Sequence, residues 1–460
     1  MKITARSLVG RLAPFALLGY PRLTGRPSLV GPHTVSTIRT RIAGCEAQVL
    51  YPTDGKDGVA TRYARNELPA GLAEYSRLPQ ILFTHLAVRR HPCIEGADPL
   101  TPDGVAYPLV VFSHGLGGCI EMYTGLCASV ASLGHVVIAL EHTDGSACFA
   151  RDDSGAPIAY KRYKANAADM SNYQRFGPNS DYSKQRLVSF RAPFLATRTR
   201  ELRGAIDHST RGRAPPASAD GTAPDGTAPD GTAPDGAAPD GAAPDGAAPD
   251  GTPSGSAATD VAPLMHRVLA TIESSRVHLL GHSFGAASVM LAAQQLDEEL
   301  QAREAGGVTR SAEATPPPRV ASVSLLDPWL SSAGQAAVER GLRPPVLAAL
   351  SRGWCDGHEA NLTRVLAPVA AYCLPLAQHT SFSDAPNWFP GLVTRRAGLR
   401  GPKEPLRTTH ADVALAIAAH ISGSRGMEKP PVPAPDHSPA VPTAWTMEVA
   451  LADSLELLDM

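Results

Sequence analysis

The pentapeptide GHSFG at residues 281–285 constrains the fold more than any other stretch of this chain. It has the form Gly-x-Ser-x-Gly and lies between an apolar run, Val277 to Leu280, and a helix-like segment that begins at Phe284. A serine in this context occupies a sharp strand-to-helix turn, where a Cβ on either flanking residue would clash with the strand or the helix. The sequence therefore predicts an α/β sheet with Ser283 at the carboxyl end of a strand.

Further apolar runs alternate with helical segments along the chain. Runs that are apolar throughout indicate strands that are buried on both faces. The predicted strands are Tyr107–Phe112, His135–Glu141, Val277–Leu280, Val320–Leu326, Val346–Leu350 and Ala370–Leu376. The predicted helices are Glu121–Ser132, Tyr182–Ile206, Val261–Ile272, Phe284–Leu300 and Ala411–Ile421. This order predicts a mostly parallel central sheet with helices on both faces, which binds ligands at the carboxyl ends of its strands.

Composition divides the chain into five parts. The unit Asp-Gly-Thr/Ala-Ala-Pro recurs from Asp220 to about residue 254 without large apolar side chains, which predicts a disordered insertion at 210–260. The segments 31–209 and 261–424 are predicted to form one α/β domain around it. Residues 425–460 are predicted to be a Pro-rich linker and tail. Residues 1–30 are an unassigned arm, open to three interpretations: a signal peptide, an organelle presequence or, as the sequence favours, a solvated segment.

Composition also limits the functions to consider. Lys+Arg 42 against Asp+Glu 44 gives a net charge of −2, which argues against a nucleic-acid binder. No apolar run reaches about 18 residues, so no membrane-spanning helix is predicted. The 7 cysteines are scattered without a CxxC pair, which argues against a disulfide framework or a zinc site and favours a reducing compartment. We expect a cytoplasmic protein that associates with membranes, with secretion or an organelle as open alternatives.

Ser283 needs a base to take its proton and a carboxylate to orient that base. Asp327 directly follows the strand predicted at Val320–Leu326, and His379 follows the strand that ends at Leu376. The order Ser, Asp, His is the one used on sheets of this kind. The competing acids are Asp356 and Asp384, and the competing bases are His358, His410 and His420. None of these follows a strand as directly.

Acyl transfer also needs two backbone N–H groups that face the oxyanion. The N–H of Phe284, directly after the nucleophile, supplies one. The loop Ser113–Gly118 follows an early strand, and its Leu116 N–H is the candidate for the other. His114 is open to two interpretations, a second base or, as the sequence favours, a residue that shapes this loop through hydrogen bonds. The loop lacks both GxGxxG and a following Lys-Ser/Thr pair, so no nucleotide is predicted. The Asp repeat lacks calcium-site spacing, so no metal or other cofactor is predicted.

These motifs resemble those of the platelet-activating factor acetylhydrolases of the plasma and intracellular type II kinds. The similar stretches are Tyr107–Gly117, Glu141–Ser146, Gly281–Gly285, Leu326–Trp329 and His379–Phe382. The resemblance implies an α/β-hydrolase fold and a calcium-independent serine hydrolase that removes short or oxidised acyl chains from the sn-2 position of phospholipids. It assigns the triad to Ser283, Asp327 and His379 and the oxyanion donors to Leu116 and Phe284. We also expect His114, Trp329 and Phe382 to line the substrate pocket.

Two other functions remain open. One is a general short-chain carboxylesterase or thioesterase, because a triad sets the reaction class and not the leaving group. The other is a non-catalytic hydrolase-like binding protein. A phospholipid substrate is predicted, together with peripheral membrane contact through an apolar and basic segment; the alternative for that segment is a core-packing helix. Its residues are Trp388, Phe389, Leu392, Val393, Arg395, Arg396 and Arg400.

Overall fold

The computed structural model describes residues 29–55, 60–163, 181–211, 258–305, 318–401 and 408–424. The predicted N-terminal arm up to residue 28, most of the predicted insertion and the C-terminal tail lie outside these residues, so the interpretations made for them stay predictions. Within the described ranges, every helix is too short or too polar to cross a bilayer.

Ten strands form one mixed sheet and two more form a small hairpin. The strands are β1 (Thr34–Ile42), β2 (Cys45–Thr53), β3 (Ala60–Arg62), β4 (Arg90–Glu95), β5 (Tyr107–Ser113), β6 (Val136–Glu141), β7 (Ala150–Arg151), β8 (Pro157–Ile158), β9 (Ile272–His282), β10 (Arg319–Leu326), β11 (Val346–Ser351) and β12 (Ala370–Leu374). The order across the large sheet is β12-β11-β10-β9-β5-β6-β2-β1-β4-β3, and β7 pairs with β8.

Helices connect the strands of the described chain. The α-helices are α1 (Leu68–Ser76), α2 (Thr124–Ser132), α3 (Asp181–Arg211), α4 (Ala258–Ala270), α5 (Phe284–Glu304), α6 (Gln335–Glu339), α7 (His358–Val365), α8 (Gly391–Arg396) and α9 (Thr408–Ser424). Short 3₁₀ helices span Gln80–Leu82, Thr84–Val88, Ile120–Tyr123, Leu330–Ala333, Arg352–Trp354, His379–Phe382 and Ala385–Asn387. Since α3 continues to Arg211 and α4 begins at Ala258, both borders of the insertion predicted at 210–260 are helical.

The predicted parallel sheet is confirmed for its central strands. Strands β6, β5, β9, β10, β11 and β12 pair in parallel, and each overlaps one of the predicted strands. Sequence reasoning missed β1 to β4. Strand β1 is antiparallel to β2, which is antiparallel to β6. Strand β1 reads TVSTIRTRI, a mixture of polar and apolar residues that differs from the continuous apolar runs of buried parallel strands.

Side chains on alternate positions of β5 enter two cores. Leu109 and Val111 lie in the cluster that packs under α3, α4 and α5, whereas Val110 and Phe112 lie in the cluster that packs under α2 and α9. This alternation follows from the period of two along a strand. Helices therefore cover both faces of the sheet.

The parallel register aligns the ends of the strands that carry the predicted site. Ser113 of β5 pairs with Gly281 of β9, and His282 of β9 pairs with Leu326 of β10. Farther along the sheet, Ser351 of β11 pairs with Leu374 of β12. The loops that follow these strands therefore lie side by side at the carboxyl ends of the strands.

One disulfide joins Cys355, after β11, to Cys373 in β12. The scattered cysteines predict no disulfide framework, and this bond corrects that expectation for one pair. The parallel pairing of β11 with β12 brings the two Cα atoms, 18 residues apart in sequence, to 5.8 Å.

Candidate active site

Ser283 occupies a strained turn between β9 and α5. Its backbone has φ 55° and ψ −121°, a left-handed φ that side chains rarely adopt. A Cβ at Gly281 would lie 2.4 Å from the Gly285 carbonyl oxygen, and a Cβ at Gly285 would lie 2.2 Å from the Ser113 oxygen. Only glycine fits at either position, which is the backbone geometry expected of the predicted nucleophile elbow.

Asp327 and His379 form a hydrogen-bonded pair. The Nδ1 atom of His379 lies 3.0 Å from the Asp327 Oδ2 atom. Asp327 is completely buried, and Ser351 donates its backbone N–H to Oδ1 at 2.5 Å and its hydroxyl to Oδ2. The carboxylate therefore orients the imidazole and leaves Nε2 of His379 as the nitrogen able to accept a proton.

Backbone hydrogen bonds connect the nucleophile turn to the acid loop. The Ser283 N–H donates to the Leu326 carbonyl oxygen at 2.9 Å, and the Trp329 N–H donates to the Ser283 oxygen at 3.1 Å. These bonds attach Ser283 to the residues on both sides of Asp327.

Trp354 contacts the predicted base directly, and sequence reasoning missed it. Its ring stacks on the His379 imidazole with centroids 4.2 Å apart and an interplanar angle of 14°. Its Nε1–H donates to the Pro328 oxygen at 3.2 Å, so the indole is attached to the acid loop as well. The only available signal was its position shortly after a predicted strand.

His282 and Tyr123 link the predicted oxyanion loop, Ser113–Gly118, to the predicted base, His379. The Gly115 N–H donates to the Tyr123 hydroxyl at 3.1 Å, and that hydroxyl lies 2.8 Å from His282 Nδ1. His282 Nε2 lies 3.1 Å from the His379 carbonyl oxygen. Burial, followed by the charge of His379, holds the pKa of His282 well below its usual value. A neutral His282 with its proton on Nε2 satisfies both contacts.

The loop after β5 lies against Ser283. A Cβ at Gly115 would lie 3.2 Å from the Ser283 Cβ atom. The Gly115 carbonyl oxygen accepts hydrogen bonds from His114 Nδ1 at 2.8 Å and from the Gly118 N–H at 3.0 Å. Because C=O and N–H point in opposite directions in a trans peptide, these bonds also set the direction of the Leu116 N–H. The Phe284 N–H, the other predicted donor, lies at the first residue of α5, where helical N–H groups have no intrahelical partner.

The three residues predicted to line the pocket lie in different environments. His114 and Phe382 are fully buried and contact other residues of the site. His114 hydrogen-bonds within the loop, and the Phe382 ring lies 5.5 Å from the His282 ring. Trp329 is partly exposed, and its ring is 5.7 Å from that of Phe284. Of the three, only Trp329 offers an accessible surface.

Two of the competing residues pair with each other elsewhere. Asp384 accepts hydrogen bonds from the Tyr63 hydroxyl at 2.9 Å and the Gly125 N–H at 3.0 Å. The Nδ1 atom of His410 lies 3.6 Å from Asp384. Both residues therefore serve a separate buried contact between α9 and the start of α2.

Among the described residues, one group has metal-ligand geometry: His282, Asp327 and His379 offer atoms within 4.8 Å of one another. Both nitrogens of His282 already contact Tyr123 and the His379 carbonyl, and Asp327 is bonded to His379 and Ser351. This donor set fits a proton relay better than a metal centre.

The segment predicted to contact membranes is partly internal. Trp388 is 1% exposed and donates its Nε1–H to the Tyr63 hydroxyl, and Arg400 is buried and donates to the Pro386 oxygen. The prediction is therefore wrong for these two residues, because both fill the core and satisfy internal polar groups. Leu392 and Val393 on α8 are 66% and 49% exposed. Arg395 and Arg396 are exposed beside them.

Known proteins share both sequence and fold with this chain. The family model described as "Platelet-activating factor acetylhydrolase, isoform II" matches residues 19–187, which include the oxyanion loop and end before Ser283. The chain is 33% identical over 126 residues to a platelet-activating factor acetylhydrolase of Canis lupus familiaris, a match that takes in 26% of this chain and 28% of that protein. It is 41% identical over 132 residues to the one of Bos taurus, again 26% and 28%.

The matches thus span little more than a quarter of the length of these curated relatives. A solved structure, a ferulic acid esterase from Streptomyces cinnamoneus, aligns with 90% of this chain and 97% of its own at a TM-score of 0.51 and 17% identity. That likeness concerns the fold alone. The predicted α/β-hydrolase fold is therefore confirmed, and so is the resemblance of this chain to the platelet-activating factor acetylhydrolases.

Proposed function

We propose that this chain is a serine ester hydrolase that works through an acyl-serine intermediate. The observation that carries the proposal is the position of Ser283, in a strained elbow bonded on both sides of Asp327 and in contact with the Gly115 loop. Strain of this kind persists only where the surrounding structure imposes it, and it concentrates at functional sites.

In the proposed reaction, the Ser283 hydroxyl attacks the ester carbonyl and gives its proton to Nε2 of His379. Asp327 stabilises the imidazolium that forms. The Leu116 and Phe284 N–H groups stabilise the oxyanion, and the imidazolium then protonates the leaving alcohol. Water, deprotonated by the same imidazole, releases the acid and restores Ser283.

The proposed substrate is a phospholipid with a short or oxidised acyl chain at the sn-2 position, such as platelet-activating factor. The match of the family model to residues 19–187 supports this choice because it contains the oxyanion loop. The apolar side chains of Leu116 and Trp329, which pack with Phe194 and Phe284, support an apolar acyl site.

The first test is labelling with a fluorophosphonate probe, which reacts with activated serines. Wild-type protein and a variant of the exposed helix residue, Ser189→Ala, should label, whereas Ser283→Ala should not. Turnover should fall by about 10⁵ to 10⁶ in Ser283→Ala, the scale of losing a triad nucleophile. Folded wild-type protein that does not label would contradict the proposal and favour a non-catalytic binding protein.

Substrate comparison separates the phospholipase from the general esterase. We expect kcat/KM for a 1-alkyl-2-acetyl-glycerophosphocholine to exceed that for its 2-palmitoyl analogue by about 100-fold or more, a factor that corresponds to roughly 2.7 kcal/mol. Rapid hydrolysis of p-nitrophenyl acetate or of an acetyl thioester, without hydrolysis of the phospholipid, would support the carboxylesterase or thioesterase instead.

We place the proposed membrane contact on α8, with Leu392 and Val393 as apolar groups and Arg395 and Arg396 as cations. Thr380, next to His379, donates its hydroxyl to the Leu399 oxygen at 2.7 Å, so the end of this segment lies beside the base. The double variant Leu392→Asp, Val393→Asp should bind vesicles of phosphatidylserine and phosphatidylcholine at least tenfold more weakly, because burying two apolar side chains stabilises binding by more than 1.4 kcal/mol.

The control is Val105→Asp. Val105 is exposed and precedes β5, so it lies at the amino ends of the parallel strands, opposite the site. It should bind vesicles as the wild type does. Equal binding by the α8 double variant and the wild type in co-sedimentation would contradict the placement.

A further inference from the structure

Helix α3 places a buried cation behind the predicted oxyanion donors. Arg198 is completely buried. Its guanidinium contacts the loop after β5, the loop after β6 and the first residue of α5. We propose that Arg198 is a positioning residue that sets both oxyanion donors, Leu116 and Phe284; this proposal rests on the function proposed above.

Arg198 bonds the loop directly before Leu116, at His114, and indirectly after it, through Ser146. Its Nη1 donates to the His114 carbonyl oxygen at 2.6 Å. Its Nε and Nη2 donate to the Ser146 hydroxyl at 3.0 and 2.5 Å, and the carbonyl oxygen of Ser146 accepts the Gly117 N–H at 2.7 Å. One side chain thus determines the positions of residues 114 and 117, which bracket the donor.

The same guanidinium also contacts the second donor residue. Its central carbon lies 4.8 Å from the centroid of the Phe284 ring, within the range of a cation–π contact. The ring is fully buried and belongs to Phe284, whose N–H is the second predicted oxyanion donor. The relative position of the loop and the start of α5 therefore depends on Arg198.

Only arginine has the geometry for this set of contacts. Asp144 accepts from Nε at 2.9 Å and balances the charge, while the other nitrogens reach His114 and Ser146. The planar guanidinium group has five N–H bonds, so it can donate to all these acceptors together while its face packs on the Phe284 ring. A lysine ammonium has three donors on one atom and cannot span the same acceptors.

A second residue of α3 supports the loop independently. Glu201, one turn after Arg198, accepts a hydrogen bond from His142 Nδ1 at 2.7 Å and from the Thr143 N–H at 3.1 Å. His142 Nε2 lies 2.8 Å from the Ser113 hydroxyl, at the start of the loop. The buried face of α3 therefore holds the loop, directly or through one intervening residue, at Ser113 as well as at residues 114 and 117.

The test compares Arg198→Met and Arg198→Lys with the control Arg203→Met. Arg203 lies on the same helix and pairs with Glu299 at 2.7 Å, away from the loop. Active sites are counted by labelling to completion with the fluorophosphonate, so kcat refers to folded, reactive sites only. The assay measures kcat and KM with p-nitrophenyl acetate and the inhibition constant of a trifluoromethyl ketone, which forms an oxyanion on Ser283.

We expect Arg198→Met to lower kcat per labelled site by about 10² to 10³, the scale of losing one oxyanion donor, with KM within about threefold of wild type. The inhibition constant of the ketone should rise by a similar factor. In Arg198→Lys, kcat per labelled site should fall by about tenfold or more, because lysine keeps the charge but lacks the planar set of N–H donors. Arg203→Met should match the wild type.

A purely structural Arg198 would reduce the number of labelled sites and leave kcat per site unchanged, and that result overturns the proposal. If Arg198→Met does not fold, a kcat per site in Arg198→Lys within twofold of wild type overturns it equally. Wild-type protein that neither labels nor turns over would overturn the proposed function and this inference with it.

Discussion

The two sides of the candidate site are stabilised by different interactions. The nucleophile side, at the ends of β5 and β9 in the middle of the sheet, is surrounded by fully buried ionic and polar groups such as Arg198 and Glu141. The base side lies at the sheet edge, where β12 has one neighbouring strand and His379 is partly exposed. It is held by a disulfide and an aromatic stack. Buried charges need matched partners, whereas an edge segment needs cross-links to stay in place.

Arg65, whose side chain is 10% exposed, shows how the nucleophile side satisfies its charges. Arg65 donates to Glu46 at 2.6 Å and to Glu121 at 2.7 Å, and it also pairs with Glu141. Glu141 in turn accepts the Ile120 N–H at 3.3 Å, just after the oxyanion loop. Removing one partner would leave buried charge uncompensated, which costs several kcal/mol.

On the base side, covalent and stacking contacts replace ion pairs. Cys355 follows Trp354, which stacks on His379, and Cys373 lies in the strand that leads to His379. The disulfide therefore connects the two segments that determine where the imidazole lies.

Acid should weaken the nucleophile side. Burial acts to raise the pKa of Glu121, but the Arg65 and Arg39 guanidinium groups outweigh it and lower that pKa to about 2. The folded pKa is depressed, so the stabilisation is present above the unfolded pKa of about 4.5 and is lost as pH falls toward 2. It is on the order of 3 kcal/mol at neutral pH.

Urea unfolding of the wild type and Glu121→Gln at pH 7, 5, 4 and 3 checks this. The wild type should be more stable at pH 7, and the difference in the free energy of unfolding should shrink below pH 4.5. A difference that stays constant from pH 7 to pH 3 would contradict the role of Glu121. Titratable groups far from Glu121 behave alike in both proteins, so their contributions cancel in this comparison.

Loss of the disulfide should weaken the base side by about 3 kcal/mol, the scale for a closed loop of this length. The double variant Cys355→Ser, Cys373→Ser should show this loss in the free energy of unfolding. Wild-type protein treated with a dithiol reductant should match the variant, and the variant should not respond to the reductant. Equal stability of the oxidised and reduced wild type would show that the bond adds nothing.

The smallest expected effect concerns the stack on His379. Trp354→Leu should lower kcat per labelled site by about tenfold, because an aromatic stack contributes about 0.5–1.5 kcal/mol. Trp354→Phe keeps a ring and should stay within about threefold of wild type. If the leucine variant equals the phenylalanine variant, the indole does not position the imidazole.

Sequence reasoning predicted the parts of the fold that repeat a local pattern. The parallel strands β5, β6 and β9 to β12 each contain one of the mainly apolar runs visible in the sequence, and the elbow has glycines at fixed offsets. It missed β1 to β4, which mix polar and apolar residues. It assigned Trp388 and Arg400 to a membrane-contact segment, with a core-packing helix as the alternative, and these two residues follow the alternative. Short aromatic and basic segments look alike whether their partners are lipid or protein.

The sequence by itself determined the strand-to-helix turn at Ser283 and the positions of Asp327 and His379 after later strands. The turn depends on local steric limits, and the strands are visible in the periodicity of apolar residues. Only the tertiary structure decided that Arg198, Trp354 and Tyr123 contact the site, and that Cys355 meets Cys373. These contacts join residues far apart in the chain. They exist because parallel strands align their ends and because a buried polar group must find its partner wherever the fold places one.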